Sequence, residues 1–462
     1  MHRRQILQQL ASAALLASGG SWSELLQAQE RKRRERIIPW RNWSGNQSCL
    51  PEARVAPDSE EAIAALLKSS TGVIRPVGAS HSFSALVPTD GTILSLARLS
   101  GIIEHDASSL QATFWAGTRM SDMGEPLKAI GQALPNMADI DYQTLAGALA
   151  TATHGTGQNF PAYPGYVQGL RMVSAAGEIL DCSADENTEL FNAARVSLGA
   201  LGIITRVRLQ NRDAFRLHTR EWIDKTDDLL DNFDQLVAEN DHFEILPLIF
   251  SDSALAIAHN ETDSPADPAV EAEGDQSTTD ILDALYRHLR EYPRLRTALM
   301  NLVTPLISFE EEIDDSYKIF ANVRDVRFHE MEYSVPAADG PACLREILQT
   351  IRENNLRSWF PMEMRYIKGD DIPLSMFEGG DRCAISVHQH YDMDHHNFFA
   401  AIEPIFWRFG GRPHWGKLHS LNARHLRKLY PRWEEFTRVR DALDPQGRFL
   451  NAHLRSVFGV AA

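Results

Sequence analysis

The sequence predicts an α+β protein of two domains, and three observations support this class. The chain has 462 residues, more than one hydrophobic core usually supports, so domains of roughly 150 to 250 residues are expected. Short helix and strand patterns alternate from Pro39 to about Asn211, and longer helical patterns with strand-like stretches follow. Hydrophobic residues make up 44% and charged residues 23% of the chain, which is typical of globular proteins.

The first domain is expected to combine helices and strands in short units. Asp58 and Glu61 form a capping box that predicts the start of a helix ending near Ser70. The apolar face of this helix consists of Ala62, Ile63, Leu66 and Leu67. A second helix is expected over 121–131. Strands are predicted over 72–77, 92–96, 111–115, 170–174, 178–181 and 203–209.

The second domain is expected to be a sheet flanked by helices. Apolar residues at helical spacing predict helices over 227–239, 281–302 and 341–354. Strand-like segments cover 243–250, 325–333, 358–366 and 383–391. Between the first two helices, residues 260–280 are rich in Asp, Glu, Pro, Ser and Thr and contain no aromatic residue. This composition predicts a mobile surface loop.

The amino terminus combines the pair Arg3-Arg4 with a short apolar run from Leu10 to Ala17. This pattern is typical of a twin-arginine signal, so residues 1–36 are expected to be an export signal and a basic linker of a periplasmic protein. The alternative is an amphipathic terminus of a cytoplasmic protein. The apolar run is too short to span a membrane, which takes about 20 residues. The basic tract 31–36 is interpreted as a solvated linker, with peripheral membrane binding as the alternative.

Charge and cysteine usage exclude several classes of function. The net charge of −16 argues against a nucleic-acid partner, because an acidic protein repels phosphate backbones. The cysteines are far apart and include no C-x-x-C pair, so they indicate neither a zinc site nor a disulfide framework. They are Cys49, Cys182, Cys343 and Cys383. No G-x-G-x-x-G fingerprint lies between a strand and a helix, which disfavours a Rossmann domain.

Two stretches rich in small residues, each carrying a histidine, suggest a ligand site in the first domain. Residues 75–91 read RPVGASHSFSALVPTDG, in which a β-branched strand enters a turn at Gly78. Backbone N–H groups in such a turn form an anion site, and a neutral His81 is a nucleophile. Residues 144–157 read TLAGALATATHGTG, and the two stretches suit a cofactor held from both sides. A plain turn with a solvated histidine is the alternative for the first stretch alone.

Five segments of the chain resemble one family of flavoproteins. They are NWSGNQ at 42–47, the two stretches above, LGALGIITRVRL at 198–209 and RPHWGKLH at 412–419, and DPQGRFLN at 444–451 is similar to the family's carboxy-terminal signature. The family is that of the FAD-linked sugar-lactone and alditol oxidases, which belong to the vanillyl-alcohol-oxidase-like flavoproteins. The resemblance implies a PCMH-type FAD-binding domain of two small α/β subdomains over 37–212. It also implies an α+β substrate cap domain over 213–410 and a segment over 411–462 that returns to the FAD domain.

The resemblance further implies how FAD is held. In covalent members of the family, a histidine at the position of His81 is bonded to the flavin 8α-methyl carbon, so covalent attachment is expected. The glycines around His154 are expected to admit the pyrophosphate or the isoalloxazine edge, whereas His154 itself is expected to be structural. The residues expected to bind FAD are Pro76, Val77, Gly78, Ala79, Ser80, His81, Ser82, Thr144, Gly147, Ala148, Thr151, His154, Gly155, Gly157, Gly202 and Ile203.

Three patches are expected to bind the substrate, a sugar lactone or a polyol. Glu363 and Arg365 lie two apart in a predicted strand, so they share a face on which a carboxylate and a guanidinium bind hydroxyl groups jointly. In the resembled family a Glu-x-Arg here touches substrate, and a surface ion pair is the alternative. Ser386 and His388 share a face of the next strand. The resemblance places Lys417 at the flavin N1 and C2 carbonyl edge; otherwise it is a surface lysine.

The reaction implied is hydride transfer from a carbinol C–H to flavin N5, followed by reoxidation by O2 or by another acceptor. Glu363, Arg365 and Lys417 are expected to orient the substrate and balance charge. His388 is the candidate for taking up the hydroxyl proton. The small residues near Ala148 do not decide between an oxidase and a dehydrogenase.

Two alternatives come from other functional classes. A non-catalytic, exported sugar-binding protein is one, and the two small-residue stretches argue against it. A zinc hydrolase is the other, with His388, His390, His395 and His396 as a metal-binding tract. Because the segment YDMDHHN reads as a loop, no metal is expected there. His414, beside a tryptophan, is interpreted as a packed histidine rather than a ligand.

Overall fold

The chain folds into two groups of sheets whose buried apolar residues form one continuous core. The computed structural model of the protein describes residues 38–461, except 250, 269–287, 290–291, 304–306, 308, 310, 322–325 and 359. The expected export signal, the basic linker, most of the acidic segment and the start of the helix expected over 281–302 lie outside the described residues. Within the described part, no helix has the length and apolar character needed to cross a membrane.

The first group of strands precedes residue 214. Its strands are β1 (Trp40–Arg41), β2 (Ser48–Cys49), β3 (Ala53–Val55), β4 (Ile74–Val77), β5 (Thr92–Ser95), β6 (Ile102–Asp106), β7 (Gln111–Trp115), β8 (Gln132–Ala133), β9 (Val167–Val173), β10 (Ile179–Ser183), β11 (Ile203–Gln210) and β12 (Arg212–Asp213). A parallel sheet has the order β3-β5-β4, and an antiparallel sheet has the order β10-β9-β11-β7-β6. The pairs β1–β2 and β8–β12 are short. The two larger sheets agree with the mixed class predicted from the sequence.

The second group of strands forms one large sheet. Its strands are β13 (Arg216–Lys225), β14 (His242–Pro247), β15 (Ser253–Thr262), β16 (Glu312–Asp315), β17 (Phe328–Pro336), β18 (Glu363–Ile367), β19 (Arg382–His390) and β20 (Arg412–Pro413). They pair in the order β16-β13-β15-β14-β18-β19-β17-β20. Every pair of neighbours in this order is antiparallel.

The register of the large sheet aligns several candidate site residues. Ser386 lies directly opposite Glu363 on one side and Glu332 on the other. Glu330 lies opposite His388. Residues directly opposite each other project from the same face of a sheet, and alternate residues of one strand do so too. The register therefore places all five side chains on one face.

Helices cover the sheets. They are α1 (Glu60–Ser69), α2 (Gly124–Ala129), α3 (Leu145–Ala150), α4 (Thr188–Ala194), α5 (Thr226–Asp231), α6 (Phe233–Glu239), α7 (Pro293–Val303), α8 (Ser316–Phe320), α9 (Gly340–Glu353), α10 (His395–Arg408), α11 (Ala423–Leu429), α12 (Trp433–Leu443) and α13 (Ala452–Phe458). Helices α9 and α10 contact each other and both contact β17 and β19. Strand β17 is buried on both faces from Phe328 to Val335, so the charged residues of this strand lie in the interior.

The carboxy-terminal segment contacts the first group of sheets. The backbone N–H of Ile74, in β4, donates to Arg448 O at 2.9 Å. The side-chain amide of Asn451 donates to Ala85 O at 2.8 Å. Strand β20, at the start of the segment, pairs with β17 of the large sheet. The segment thus connects both parts of the protein.

The predicted strands are present, and the differences have local causes. The strand expected over 358–366 begins only at Glu363, and the helix expected over 227–239 is divided at Asn232. The sequence analysis did not predict β13 or β15. The buried positions of β15 are the alanines Ala254, Ala256 and Ala258, and alanine gives a weak strand signal. Because β15 extends to Thr262, the expected loop over 260–280 begins later than predicted.

The cap of α1 also differs from the prediction. The hydroxyl of Ser59 accepts a hydrogen bond from Ala62 N–H at 3.1 Å. Asp58, the expected cap, instead forms an exposed ion pair with Arg98 at 2.9 Å. Ser59 therefore satisfies one of the free N–H groups at the start of this helix.

Replacing Ser59 by alanine is expected to lower the free energy of unfolding by about 1 kcal/mol, because the first turn of α1 loses its cap. Asp58→Ala is the matched control, and it is expected to have a smaller effect because exposed ion pairs contribute little. Urea unfolding of both variants measures the difference. A larger loss for Asp58→Ala would show that the capping box assigned from the sequence is correct.

Candidate active site

A cavity of about 330 Å³ lies among the loops of the first group of sheets. Small-molecule sites in proteins have volumes of about 300 to 1,000 Å³. The walls come mainly from four stretches, 75–82, 95–100, 143–151 and 197–204. Twelve of the expected cofactor residues line this cavity, namely Pro76, Val77, Gly78, Ala79, Ser80, His81, Ser82, Thr144, Gly147, Thr151, Gly202 and Ile203.

Close contacts between small residues shape this cavity. A Cβ atom on Gly78 would lie 2.3 Å from Thr144 Oγ1, so glycine allows the two histidine-bearing stretches to meet. Gly199 has a φ of +63°, and a Cβ atom there would lie 2.7 Å from Pro76 Cγ. Ser80 has a φ of 63°. The turn therefore presents backbone rather than side chains to the cavity, as a bound nucleotide cofactor requires.

The buried guanidinium of Arg75 holds the walls of the cavity together. Its Nε donates to Leu86 O at 2.8 Å, and its Nη atoms donate to Gly199 O at 2.9 Å and Leu198 O at 2.8 Å. A further bond goes to Phe449 O in the carboxy-terminal segment. Burial lowers the pKa of Arg75 to about 9, so the side chain remains a cation at neutral pH.

His81 lies at the end of this cavity among aromatic rings. Its ring stacks on Trp43 with 4.7 Å between centroids and lies parallel to Tyr142 at 6.4 Å. Burial, together with the charge of Lys417, lowers the pKa of His81 to about 4. The imidazole is therefore neutral at pH 7.

A smaller cavity of about 70 Å³ adjoins the first. His81, Ser82 and Gln143 line both cavities. The smaller cavity lies between the first group of sheets, the large sheet and the carboxy-terminal segment. Its lining includes all four candidate catalytic residues, Glu363, Arg365, His388 and Lys417. The other charged and polar residues of the lining include Asp139, Thr153, His154, Glu330, Glu332 and His414.

The carboxylate of Glu330 joins two of these residues. It forms an ion pair with Lys417 and lies 3.6 Å from His388 Nε2. Burial opposes ionisation, but the charge of Lys417 holds the pKa of Glu330 well below its ordinary value. His388 Nδ1 lies 2.9 Å from Pro361 O, and since a carbonyl only accepts, Nδ1 is the donor. Burial alone would lower the pKa of His388, but Glu330 outweighs it and raises this pKa.

The neighbouring Glu332 makes a second buried network. Its carboxylate lies 2.7 Å from His154 Nε2 and accepts a hydrogen bond from Ser386 Oγ at 3.0 Å. The other ring nitrogen of His154 lies 3.0 Å from Gly155 O. Burial would raise the pKa of Glu332, but His154 holds it well below the ordinary value. The contact with Glu332 therefore connects His154 to the large sheet.

Arg365 is fixed between two carboxylates. Its Nη atoms lie 3.1 Å from Glu363 Oε2 and 3.3 Å from Glu244 Oε2. Glu244 also accepts a hydrogen bond from Thr156 Oγ1 at 2.6 Å. Only 8% of Arg365 is exposed, so this is not the surface ion pair considered as an alternative. Glu363 and Arg365 share one face of β18, as predicted, and both line the smaller cavity.

The remaining expected cofactor residues lie away from the larger cavity. His154 lines the smaller one, whereas Ala148 lies in α3 and lines neither. Gly155 and Gly157 also line neither cavity. The N–H of Gly157 donates to Tyr366 O at 2.9 Å. The chain after α3 thus turns towards the large sheet, where Gly157 permits close backbone packing, since a Cβ atom there would lie 2.8 Å from Asp241 O.

Only residues 391–394 of the histidine-rich tract form the loop that the sequence suggests. His395 and His396 begin α10. The side chain of Asp394 caps this helix by accepting a hydrogen bond from His396 N–H at 2.9 Å. His390 is ion-paired with Asp392. His388, at the other end of the tract, faces the smaller cavity.

A different cluster brings three potential metal-ligand atoms within 4.8 Å of one another, on His154, Glu332 and His414. Their hydrogen bonds indicate a different role. His414 Nδ1 accepts a hydrogen bond from Gly416 N–H at 3.0 Å, so the proton of the neutral ring is on Nε2. His154 and Glu332 contact each other, whereas the His414 ring bonds to Gly416, and all three side chains line the smaller cavity.

The two carboxylates at the centre of the site, those of Glu330 and Glu332, were not predicted from the sequence. Glu330 and Glu332 alternate with Met331 and Tyr333 in a segment predicted to be a strand. Two carboxylates on one face of a strand that is otherwise apolar are a signal of paired buried charge. Arg75 was also missed, because only the fold reveals that its partners are backbone carbonyls.

Comparison with known proteins agrees with this geometry. The sequence model of the D-arabinono-1,4-lactone oxidase family matches residues 207–457, and that of an FAD binding domain matches residues 51–183. The chain is 36% identical over 426 residues to L-gulono-1,4-lactone dehydrogenase of Mycobacterium tuberculosis, covering 91% of this chain and 99% of the relative. It is 29% identical over 439 residues to L-gulonolactone oxidase of Bos taurus, covering 91% and 98% respectively.

Solved structures support the fold. A variant of cholesterol oxidase from Brevibacterium sterolicum superposes with a TM-score of 0.77 at 15% sequence identity, covering 92% of this chain and 98% of that one. The FAD-domain match contains the turn with His81, and the lactone-oxidase match contains the large sheet with Glu363 and Arg365. The chain therefore belongs to the D-arabinono-1,4-lactone oxidase family of FAD-dependent oxidoreductases.

Proposed function

We propose that the protein oxidises a secondary hydroxyl group of an aldonolactone, with FAD in the larger cavity and the lactone in the smaller one. One observation carries this assignment. The two cavities meet at His81, Ser82 and Gln143, so a ligand in one lies beside a ligand in the other. The names of the relatives, a gulonolactone dehydrogenase and a gulonolactone oxidase, support a sugar lactone as the substrate.

The larger cavity fits FAD. The turn at 78–82 and the stretch from Thr144 to Thr151 would hold it, because their small residues expose backbone groups to a ligand. Gly78 and Gly199 allow no side chain at their positions. When bound, FAD supplies the two-electron acceptor for the hydrogen that leaves the substrate carbon.

The lining of the smaller cavity suits a neutral polyhydroxylated substrate. Arg365 presents a guanidinium that its two carboxylate partners hold in place. Glu363 accepts hydrogen bonds from hydroxyl groups, and Arg365 donates to ring or carbonyl oxygens. Lys417, paired with Glu330, presents its ammonium group to the smaller cavity. These fixed groups position the substrate without a large rearrangement.

His388 is suited to take up the hydroxyl proton. Its Nδ1–H is fixed on Pro361 O, so Nε2 faces the cavity and Glu330. The imidazole accepts a proton only when Nε2 is unprotonated. Since Glu330 raises the pKa of His388, this form is reached at a higher pH than for an ordinary histidine.

We also propose that His81 carries FAD covalently through the 8α-methyl carbon. The neutral imidazole supports this, because only an unprotonated ring nitrogen is a nucleophile. The stacking on Trp43 supports it further, since a packed ring has a fixed orientation. The resembled family provides the position of the bond.

Anaerobic mixing with a series of 1,4-lactones and alditols tests the function. We expect at least one aldonolactone to bleach the flavin absorbance, and in air to yield one hydrogen peroxide per lactone. Arg365→Lys keeps the charge but loses the planar fork, so we expect its kcat/KM to fall roughly ten- to hundredfold. Turnover with dyes but not with O2 would make the protein a dehydrogenase. No flavin reduction by any lactone would reject the assignment.

The variant His81→Ala is expected to lose covalent flavin while it keeps the fold. Acid precipitation of the wild type should leave the flavin with the protein, and precipitation of the variant should release it. Phe83→Leu, near His81 in the sequence, is a control that leaves the attachment intact. Flavin that remains bound to acid-precipitated His81→Ala would show that another residue carries it.

Replacing Glu330 by glutamine is expected to shift the pH dependence of kcat/KM. Activity of the wild type should rise with pH as His388 loses its proton, through a pKa above that of an ordinary histidine. Without the carboxylate this pKa falls, so the rise should move to lower pH. Glu332→Gln is the control for the shift, because Glu332 binds His154. An unchanged pH profile in Glu330→Gln would exclude His388 as the titrating base.

A further inference from the structure

The ring of His414 is a buried side chain for which neither the fold nor the proposed mechanism gives a role. It follows directly after β20, and its backbone N–H donates to Glu332 O at 3.0 Å. Only 4% of the residue is exposed, yet the ring lines the smaller cavity beside Lys417. The sequence alone suggested a packed histidine, but a packed histidine does not need to border a ligand cavity.

The protonation of this ring is fixed by its neighbour. Gly416 N–H can only donate, and it lies 3.0 Å from His414 Nδ1, so Nδ1 is the acceptor and Nε2 carries the proton. The same residue is held on its other side, because Gly416 O accepts a hydrogen bond from Phe83 N–H at 2.7 Å. A Cβ atom on Gly416 would lie 3.2 Å from His414 Cε1 and 3.4 Å from Ser82 Oγ. The ring is thus held in one orientation against the turn that bears His81.

The ring is also neutral throughout the range in which such an enzyme works. Burial lowers the pKa of His414 to about 3. The charge of Lys417 lowers this pKa further, whereas the charge of Glu332 opposes the decrease. A neutral imidazole that uses Nδ1 as an acceptor has a single polar group left, the Nε2–H donor. It therefore does not take up a proton at this position.

The Nε2–H donor has no acceptor among the residues that the structure describes. The carboxylate of Glu332, which lies within 4.8 Å of a ring nitrogen of His414, bonds instead to His154 and Ser386. Once a substrate excludes water from the cavity, the Nε2–H group needs an oxygen acceptor, because a buried N–H group without a partner is destabilising. The cavity is the place where a ligand oxygen can remove this cost.

We propose that His414 is a further catalytic residue, which donates a hydrogen bond from Nε2–H to the substrate oxygen that loses its proton. This inference rests on the proposed function. His414 lines the smaller cavity and not the larger one, so its target is the substrate and not the cofactor. A fixed neutral donor stabilises the negative charge that develops on this oxygen, while His388 receives the proton. The two histidines thus have different roles, which their opposite pKa shifts support.

Two amide variants test the proposal, because each places a polar atom at the position of only one of the two ring nitrogens. In His414→Gln the side-chain amide reaches the position of Nε2 and can still donate. In His414→Asn the amide reaches only the position of Nδ1, so it can bind Gly416 N–H but presents no donor to the cavity. The rate of flavin reduction by a lactone should stay within about tenfold of wild type in the glutamine variant and fall about a hundredfold or more in the asparagine variant. KM should change less than this rate in both.

The pH profile and the flavin content separate this role from a structural one. Both variants should retain FAD and the rise of activity with pH that His388 causes. Equal rates in the two variants, or a shifted pH profile in His414→Asn, would overturn the proposal. If neither variant folds, His414→Ala with added imidazole or 1-methylimidazole decides, because only imidazole retains an N–H. Equal effects of the two compounds would overturn the proposal. A wild-type protein that oxidises no lactone would reject the proposed function as well.

Discussion

The structure depends on the pairing of two carboxylates, Glu330 and Glu332, that lie in the interior of the protein. Removing a charge from water costs several kcal/mol unless partners compensate it. Here the partners come from separate parts of the chain: Lys417 from the carboxy-terminal segment, His388 from the neighbouring strand and His154 from the loop after α3. None of these parts alone can bury the pair. The candidate site therefore forms only when the large sheet, the FAD-binding part and the terminal segment are together.

The same constraint gives each charged group a separate task. Glu330 binds a cation and raises the pKa of His388, whereas burial without such a partner lowers the pKa of His81 and of His414. One histidine is thus suited to exchange a proton, and two remain neutral at pH 7. In the larger cavity, small residues rather than charged ones form most of the wall around the space for the cofactor. Arg75 holds the loops that carry these residues by donating hydrogen bonds to their backbone carbonyls. Binding of the cofactor and chemistry on the substrate are therefore supported by different kinds of interaction.

Much of this arrangement could be predicted from the sequence, and the rest has identifiable physical reasons for being hidden. The periodic pattern of residues predicted the strands, and the two-residue spacing of Glu363 and Arg365 predicted that they share one face of a strand. The network around Glu330 was hidden, because its partners are distant in the sequence and meet only through the register of β17 with β19. Strand β15 was hidden because its buried positions are alanines. The contact of Gly157 with strand β18 was also hidden, because a glycine that packs against a strand reads in the sequence like one that binds a cofactor.

The central claim is that a lactone in the smaller cavity lies between the paired carboxylates and the cofactor. A crystal structure of the FAD-loaded protein with a lactone product tests it most directly. We expect lactone oxygens within hydrogen-bonding distance of Glu363, Arg365 and His388 Nε2, with the flavin ring against His81. A lactone bound outside this cavity, or a flavin ring remote from His81, would contradict it.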